Sequence, residues 1–521
     1  MKLFFFKRFF ELILINVFFL RDNRFNEIIK NTKERKKNYI LIELYLSNVL
    51  VSIFYVFVSI IYKKNFKIIF FYYSKVDNFF GNKLIKILCF SYIKFLKNKC
   101  HAEIINLYRN PEIYEIKNGN RKYNKINKVE DLINLKYKKI EIGKYIIQSY
   151  CRELWKEHVD VKDQRLEKYI VEAIAYINNI NTILKNKKIK KLFISHSVFI
   201  RYGILCRTCN SLNVSNIYIF YPTSRLGKFY KSLDFLKLDS KHHLQIERYW
   251  NFNKDFNKLK SKSKILNHSK KNLQNRIYGE KVSKHFIKGN INPYSKNKII
   301  KFEKNNKIKI LIMATCFYDR AFFYRNALFN SNSYLFTKEI LNLAKYTNFE
   351  WYIKPHPDGH IKNIGSIKSL KKDFPFLKIL PKNISNLSFK KNNFKCMFSF
   401  DGSALHEFIY MGIPSYCVGE NKQSAFNFGK PVKNFRELKE IVSKPYKKKK
   451  YDLKDIYKFN YIYEYQKSPD WKSIDFVSDE LSLILLKNFN GSYYNKYKSM
   501  VILSQNLNIR FHKIKKFLKK I

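Results

Sequence analysis

The segment CMFSFDGSALHEFIYMGIPSYCV at residues 396–418 decides the fold class of this chain. Residues 396–400 predict a short buried strand, and Asp401-Gly402-Ser403 predicts a tight turn after it. A helix is predicted over Ala404–Met411, and the Gly-Ile-Pro that follows stops it before a second strand at Ser415–Val418. A strand, a helix and a strand joined by short turns are typical of a parallel sheet covered by helices.

The same alternation of strands and helices extends in both directions from this unit. In the second half of the chain, the pattern predicts a strand, a helix and a strand at Lys309–Ala314, Leu335–Tyr346 and Glu350–Lys354. In the first half, it predicts a helix, a strand, a helix and a strand at Glu167–Leu184, Lys191–Ser195, Phe199–Leu212 and Asn216–Phe220. We therefore expect an α/β fold of two domains that face a cleft.

Composition changes along the chain predict the domain boundaries. Residues 1–250 form the first α/β domain and residues 306–445 the second. Between them, residues 251–305 are rich in Lys, Asn and Ser and predict a basic linker with peripheral helices. This charge run could bind a polyanion, although a solvated connector is the favoured interpretation. Residues 446–521 are aromatic and predict a helical tail that packs across both domains.

The net charge of the chain invites a nucleic-acid interpretation. The 521 residues include 101 Lys or Arg and 41 Asp or Glu, which gives a formal charge of +60. A hydrophobic content of 46% excludes a disordered basic tail. Because Lys, Asn, Ile, Phe and Tyr share A/T-rich codons, biased base composition explains much of the charge. We favour this explanation of the charge. A nucleic-acid-binding protein stays an alternative function, from a different class than an enzyme.

The cysteines and the apolar segments bear on the compartment. Eight scattered cysteines form no disulfide framework, so a reducing compartment is favoured. The close pair Cys206 and Cys209 lies in an apolar run without further metal ligands, so no metal or redox site is expected there. The N-terminal segment 1–21 lacks a cleavage site for export. The uncharged segment Leu44–Tyr62 is either a membrane span or a buried helix, and the strand predicted at Lys67–Tyr73 after a short turn favours the helix.

The C-terminal segment 510–521 places apolar residues on one helical face against a lysine face. Such a helix suits an anionic membrane surface, and a solvated terminal helix fits the pattern equally well. We therefore expect a cytoplasmic protein, either free or peripheral at the inner face of the cell membrane.

The first candidate chemical cluster is Lys354-Pro355-His356-Pro357-Asp358-Gly359, at the end of a predicted strand. The prolines fix the backbone around His356 and exclude helix there. An imidazole beside Lys354 can donate hydrogen bonds to a phosphate and neutralise charge on a leaving group.

The second cluster, Asp401-Gly402-Ser403-Ala404-Leu405-His406-Glu407, also follows a strand. Gly402 permits a tight turn, Ser403 is expected to cap the helix, and the amides of the helix start are expected to bind phosphate. Glu407 lies one turn further on, where a carboxylate could accept both hydroxyls of a ribose. In the first half, Ser195, His196 and Ser197 likewise follow a strand, at the edge where ligands gather in open α/β sheets.

These segments resemble bacterial capsule and lipopolysaccharide glycosyltransferases of the GT-B fold. The resemblance covers about residues 140–435 and is carried by four blocks: KPHPDG at 354–359, FDGSALHEFIYMGIPSYCVG at 400–419, ILIMATCFYD at 310–319 and SHSVFIRYGILCR at 195–207. It implies two Rossmann-like domains, with the acceptor on the N-terminal side and a nucleotide-sugar donor bound mainly by the C-terminal domain. His356 and Pro357 would match the His-Pro motif that meets the donor phosphate, and Gly402 and Ser403 the Ser-containing phosphate loop.

The function predicted on this basis is metal-independent transfer of a sugar from a nucleotide-activated donor to a growing surface polysaccharide or lipid-linked glycan. His356, Lys354 and Ser403 would stabilise the leaving phosphate. His196 is the first candidate for the general base and Asp319 the second. No bound cofactor, metal site or nucleic-acid partner is expected. The same pair of motifs occurs in CDP-glycerol-type polyol-phosphate transferases, which stay an alternative.

Overall fold

A computed structural model describes most of the two predicted α/β regions. The described residues are 38–44, 59, 62, 65–73, 96–97, 102–214, 216–220, 235–237, 252–257, 259–278, 293–303, 305–318, 328–356, 361–392, 394–400, 402–417, 422–444 and 451–465. The terminal segments 1–21 and 510–521, most of Leu44–Tyr62, Asp319 and Pro357 lie outside them. The predictions made for those residues stay predictions.

The strands β1 to β13 are, in chain order, Asn38–Glu43, Lys67–Tyr72, Glu103–Asn106, Lys136–Tyr137, Ile140–Glu141, Lys188–Ile194, Asn216–Phe220, Phe235–Lys237, Lys309–Met313, Glu350–Lys354, Lys378–Ile379, Phe394–Ser399 and Ser415–Tyr416. The helices α1 to α13 are Ile113–Tyr123, Val129–Ile133, Gly143–Leu154, Arg165–Leu184, Leu205–Ser211, Phe252–Asn257, Lys262–Tyr278, Ser333–Ala344, Ile361–Asp373, Leu387–Lys391, Ala404–Tyr410, Phe435–Ser443 and Leu453–Tyr465. One π-helix, Phe199–Ile204, leads directly into α5.

The first sheet has the strand order β3-β2-β1-β6-β7-β8. Its strands pair in parallel except β8, which pairs with β7 in the antiparallel sense. The chain proceeds outward from β1 to β3 and then returns to the other side of β1 at β6. This reversal of direction is the topological switch point of the sheet.

The helix α4 covers the first sheet and buries most of its length. Among its buried residues are Ile170, Ile174 and Ile177, each fully inaccessible, and they belong to one core with Leu41 of β1 and Leu192 of β6. Their spacing of three and four residues is the helical pattern from which the segment was predicted. The helix predicted at Phe199–Leu212 is confirmed in position, but its first turn is π-helical, with φ of 65° at Phe199.

The second sheet has the order β11-β10-β9-β12-β13 and is parallel throughout. Its central strands are buried, and its predicted strands are confirmed to within one or two residues at the ends. The chain moves from β9 to β10 and β11 on one side, then crosses to β12 and β13 on the other. The switch point therefore lies between β9 and β12. Both regions are thus α/β units with parallel sheets flanked by helices.

The segment predicted as a solvated linker packs against the second sheet. Phe256 of α6, with Leu273 and Ile277 of α7, is buried in the same core as residues of β12 and α11. On its other side α7 meets α13, where the Ser269 hydroxyl donates to the Tyr457 carbonyl at 2.8 Å. The described part of the C-terminal tail therefore packs on the second unit through α7, a helix of the segment predicted as a basic linker with peripheral helices.

The two units contact each other through the turn after α3. The Asn332 amide donates to the Glu157 carbonyl at 2.9 Å, and the Ser366 hydroxyl donates to the Glu157 carboxylate. The Trp155 ring lies edge-on to the Tyr318 ring, with 5.5 Å between centroids. The facing of two domains across a cleft stays a prediction. Among the helices that the structure describes, none has the length and apolar character needed to cross a bilayer.

Gly203 in the π-helix is packed too closely for a side chain. A Cβ at this position would lie 2.1 Å from the Tyr145 ring and 2.9 Å from the Ser197 carbonyl oxygen. We expect Gly203→Ala to destabilise the protein by about 1–3 kcal/mol because the ring must move. Gly365 of α9 is the matched control, since its Cβ would meet nothing within 4 Å. Gly365→Ala should raise the thermal midpoint, because alanine has the higher helix propensity. If both variants lowered the midpoint equally, the contact with Tyr145 would not be the cause of the destabilisation in Gly203→Ala.

Candidate functional site

Three strand ends meet at the carboxyl edge of the second sheet. Met313 at the end of β9 pairs with Lys354 of β10 on one side and with Ser399 of β12 on the other. The loops that follow these strands therefore leave the sheet side by side at its switch point. Ligands of open α/β sheets bind in the crevice outside such strand ends. The two clusters singled out in the sequence both lie in these loops.

His356 is the exposed member of the first cluster. It follows the buried Pro355 two residues beyond the end of β10, and its side chain is exposed to solvent. Its predicted partner Pro357 lies outside the described residues. The structure thus places an imidazole at the sheet edge, in a position from which it can contact a bound anion.

Gly402 and Ser403 form the turn between β12 and α11. Gly402 has φ of +113°, in the left-handed region that glycine tolerates, and its carbonyl accepts a hydrogen bond from the Gln423 side chain at 3.1 Å. Ser403 is the N-cap residue, but its side chain makes no capping hydrogen bond, so the predicted cap is wrong. Its hydroxyl instead helps to lower the pKa of the Glu407 carboxyl, one turn further on. The amides at the start of α11, which has only 7 residues, stay a predicted phosphate site.

Lys354 is buried, in contrast to its neighbour His356. Only 1% of Lys354 is exposed, and its Nζ donates to Asn386 Oδ1 at 2.6 Å. Burial lowers the pKa of Lys354 to about 7, against the opposing field of the Glu407 carboxylate. The ammonium therefore faces the interior under the loop, and direct contact with a donor phosphate stays a prediction.

Glu407 is also buried, with 2% of its surface exposed. Its Oε1 lies 2.6 Å from Arg276 Nη2, and the Tyr294 hydroxyl donates to Oε2. Burial alone would raise the pKa of this carboxyl, but Arg276, His406 and the hydroxyl donors hold it below its usual value. In this structure both carboxylate oxygens are engaged inside the protein, and the contact with a ribose stays a prediction.

Together these residues form a buried polar chain of five side chains: Lys354, Asn386, Tyr294, Glu407 and Arg276. Asn386 accepts the hydrogen bond from Lys354, and Lys354 also lies in the field of the Glu407 carboxylate, which joins the two halves electrostatically. Sequence reasoning missed Arg276, Tyr294 and Asn386. Arg276 lies in the Lys- and Asn-rich segment assigned to a linker, where no local signal distinguishes one cation from its neighbours.

The carboxyl edge of the first sheet holds the predicted base. Ser195 and His196 follow β6 at the switch point beside β1, and His196 is exposed. His196 Nδ1 lies 2.8 Å from Ser195 Oγ, and its ring lies 5.0 Å from the Tyr202 ring. Glu43, the last residue of β1, accepts a hydrogen bond from the Ser195 amide at 2.6 Å. Sequence reasoning missed Glu43, while Asp319 lies outside the described residues.

A pocket lies next to this edge, at the ends of β2 and β3. It is lined by three tyrosines, Tyr73, Tyr108 and Tyr176, and by charged residues of both signs, Arg109, Lys168 and Glu172. The Tyr73 ring is edge-on to the other two, with its centroid 4.8 Å from that of Tyr176 and 5.4 Å from that of Tyr108. Elsewhere in the described part of the chain, Cys206 and Cys209 are buried free thiols, and no group of His, Cys, Asp and Glu could hold a metal ion.

Known proteins match this chain only distantly. No protein-family model matches the sequence, and no curated protein matches it. Among solved structures, the chain is similar to "Thermosulfurimonas dismutans KpsC, beta Kdo 2,4 transferase", with 10% sequence identity and a TM-score of 0.32. The match covers 53% of this chain and 80% of that chain. A likeness of this size carries no argument about function.

The ion pair between Arg276 and Glu407 should be a strong determinant of stability. Arg276→Met leaves the Glu407 carboxylate buried without its cation, which typically costs about 3–5 kcal/mol. The matched control is Arg436→Met, since the pair of Arg436 and Glu440 is exposed, with 91% and 70% of the side chains accessible. We expect the control to change stability by less than about 0.5 kcal/mol. Equal thermal midpoints for the two variants would contradict the buried pair.

The buried amine of Lys354 should make stability depend on pH. Its pKa is about 7 in the folded state and 10.5 as a free group, so between these values the unfolded chain binds a proton that the folded chain does not. Stability therefore rises as pH increases from 7 toward 10.5, by up to roughly 4 kcal/mol. Lys354→Met should lack this increase. The test is the difference in denaturation midpoint between wild type and Lys354→Met from pH 6 to 10, and a constant difference would contradict it.

Proposed function

We propose that this protein is a glycosyltransferase that moves a sugar from a nucleotide-activated donor to a growing cell-surface polysaccharide. The observation that carries the proposal is the switch point of the second sheet, where the exposed His356 and the Gly402-Ser403 turn leave the flanking strands β10 and β12. This edge offers an exposed imidazole to an anion, and hydrogen bonding to the phosphate oxygens is the chemistry that a nucleoside phosphate requires.

The proposed reaction needs no metal. As the bond between the anomeric carbon of the sugar and the donor phosphate oxygen breaks, negative charge accumulates on the departing phosphate. His356 donates a hydrogen bond to this phosphate and stabilises the charge where it develops. The acceptor hydroxyl forms the new bond to the anomeric carbon and gives its proton to a base of the first unit, for which we propose His196.

The buried polar chain supports this edge from beneath. Lys354 ends β10 and Glu407 lies in α11. The buried polar side chains therefore connect the strand that precedes His356 to the helix that follows Ser403. We assign Lys354 and Glu407 to holding these loops in place, because both are buried and bonded within the protein.

The tyrosine-lined pocket of the first sheet is our candidate for the acceptor site. Aromatic faces pack against the apolar faces of sugar rings, and three tyrosines line this pocket. The Tyr176 hydroxyl donates to the Arg201 carbonyl at 2.8 Å, which connects the pocket to the loop of His196. This placement agrees with an acceptor on the N-terminal side.

A thermal-shift panel of CMP, CDP, UDP and GDP tests the donor site. We expect one nucleotide to raise the midpoint of the wild-type protein and to lose this effect in His356→Ala. Transfer from the matching nucleotide sugar should fall by about 10²–10³-fold in the variant, because a donor to the leaving phosphate is removed. His268→Ala, which changes an exposed histidine of α7, is the control and should behave as wild type.

Full transfer activity in His356→Ala would overturn the site assignment. Stabilisation by CDP together with transfer of a polyol phosphate would instead favour the CDP-glycerol type of reaction. Binding of nucleic acid that weakens steeply with salt, with no response to any nucleotide, would contradict the proposed function.

A further inference from the structure

We propose that the outer face of α1 docks on an anionic lipid surface. This docking face consists of the apolar residues Ile113, Tyr114 and Ile116 and the cations Lys117 and Arg121. The docking is a property of the protein alone and does not depend on a transfer reaction. The place that docking gives to the acceptor rests on the proposed function.

Three large apolar side chains within four residues are exposed at the start of α1. Ile113, Tyr114 and Ile116 are 73%, 52% and 41% exposed. In the rest of the described chain, the exposed large apolar residues lie singly: Leu335, Tyr346, Ile379, Phe435 and Leu453. Single apolar side chains are normal on a protein surface, whereas a cluster of them marks a surface that binds an apolar partner.

The buried carboxylate of Glu115 holds the first turn of α1 in place. Arg109 Nη1 and the Glu112 amide donate to Glu115 Oε2 at 2.8 and 2.9 Å. Asn178 Nδ2 and the Tyr114 hydroxyl donate to Oε1 at 2.7 and 3.1 Å. Because the Tyr114 hydroxyl is bonded within the protein, its ring is the part of the side chain that is available to an apolar phase.

The cations of α1 lie on the same side of the helix as Ile113. Ile113, Lys117 and Arg121 are spaced four residues apart, so they follow one another along one side, and all three are exposed. The other side packs on α4, where a Cβ at Gly119 would lie 2.3 Å from Val171 Cγ2. The docking face is therefore directed away from the body of the first unit.

The charge around the docking face is positive. Residues 113–128 include one acid, Glu115, which is fully buried. The cations of the same segment are Lys117, Arg121, Lys122, Lys125 and Lys128. Before the helix, the exposed carboxylate of Glu112 lies 3.2 Å from Arg109 Nη1. Apolar side chains inserted between lipid headgroups, with cations beside them for the phosphates, are typical of proteins that bind an anionic membrane surface.

A lipid surface fits this face better than a second copy of the chain or a nucleic acid does. Two copies that met through α1 would bring cations against cations, which opposes association. A nucleic acid would engage the cations and the Tyr114 ring. It would leave Ile113 and Ile116 in water, whereas a lipid surface buries them.

The docking face borders the tyrosine-lined pocket of the first sheet. Ile116 belongs to both, and the exposed Lys168 of α4 also lines the pocket. Docking through α1 therefore sets the pocket beside the lipid headgroups. If the pocket holds the acceptor, as the proposed function has it, a glycan carried at the membrane reaches it from this side.

The first test is cosedimentation of the full-length protein with vesicles of equimolar phosphatidylcholine and phosphatidylglycerol. Ile113→Ser/Ile116→Ser should lower the partition coefficient about tenfold, since less apolar area enters the lipid. Lys117→Gln/Arg121→Gln should lower it about fivefold for each cation, and should have little effect with phosphatidylcholine alone. All four side chains are exposed, so the thermal midpoints should stay at the wild-type value.

The helix α12 of the second unit provides the matched control. It has an exposed ring, Phe435, and an exposed cation, Arg436, but Arg436 lies 3.7 Å from the carboxylate of Glu440. Phe435→Ser/Arg436→Gln should therefore bind vesicles as the wild-type protein does. No loss of binding in the α1 variants, or an equal loss in this control, would overturn the proposal.

Fluorescence shows which residue meets the lipid. Ile113→Trp adds an indole to the docking face, and vesicles with brominated acyl chains should quench the added emission. Tyr346→Trp changes a side chain of the second unit that is 90% exposed, and its added emission should not be quenched. Absence of quenching in Ile113→Trp would overturn the docking.

Two further outcomes have a definite meaning. Self-association of the wild-type protein that Ile113→Ser/Ile116→Ser abolishes, without binding to vesicles, would assign this face to a second copy and overturn the proposal. Vesicle binding through α1 in a protein that transfers no sugar would contradict the proposed function and leave the docking intact.

Discussion

The buried carboxylate of Glu407 is the constraint on which the second unit depends. A charge with 2% exposure destabilises the fold unless cations and hydrogen-bond donors surround it, and these come from distant parts of the sequence. Tyr294 lies 113 positions away along the chain, and Arg276 lies further still. Because both must reach Glu407, α7 and the segment after residue 293 are fixed against the second sheet. The same polar chain ends at Lys354, and so couples the position of β10 to that of α11.

Much of the sheet architecture could be predicted from the sequence, because local patterns decide it. The strand Glu350–Lys354 was predicted to the residue, and the turn at Gly402 is visible as a glycine between a strand and a helix. The burial of Glu43, Lys354 and Arg276 could not be predicted. Any prediction from the spacing of apolar residues assigns charged residues to the surface. Their burial depends on partners brought together by the fold. The π-helical turn after His196 was missed for the same reason, because side chains of α3 stabilise it.

The parallel strands of the two sheets follow the same order, with β8 as an additional antiparallel strand of the first sheet, but the sheets present different chemistry at their switch points. At the second sheet, a buried amine and carboxylate hold the loops while an imidazole and a glycine turn face outward, an arrangement that suits an anion. At the first sheet, a buried carboxylate stands behind a serine and an exposed imidazole, an arrangement that suits the removal of a proton. A transfer reaction needs both kinds of site. The contacts of Glu157 with Asn332 and Ser366 join the two units directly.

In the part of the chain that the structure describes, several lysines lie over aromatic rings of separate elements. With 41 carboxylates for 101 cations, most lysines and arginines cannot have an acidic partner of their own, and the 38 tyrosines and 47 phenylalanines offer an alternative. Lys191 of the first sheet lies 4.4 Å from the centre of the Tyr62 ring, and Lys345 of the second unit lies 4.9 Å from that of Phe374. A nucleic-acid surface instead needs its lysines side by side and its rings exposed for stacking. Rings that already contact lysines of separate elements are not available for stacking on bases. This favours biased base composition as the origin of most of the charge.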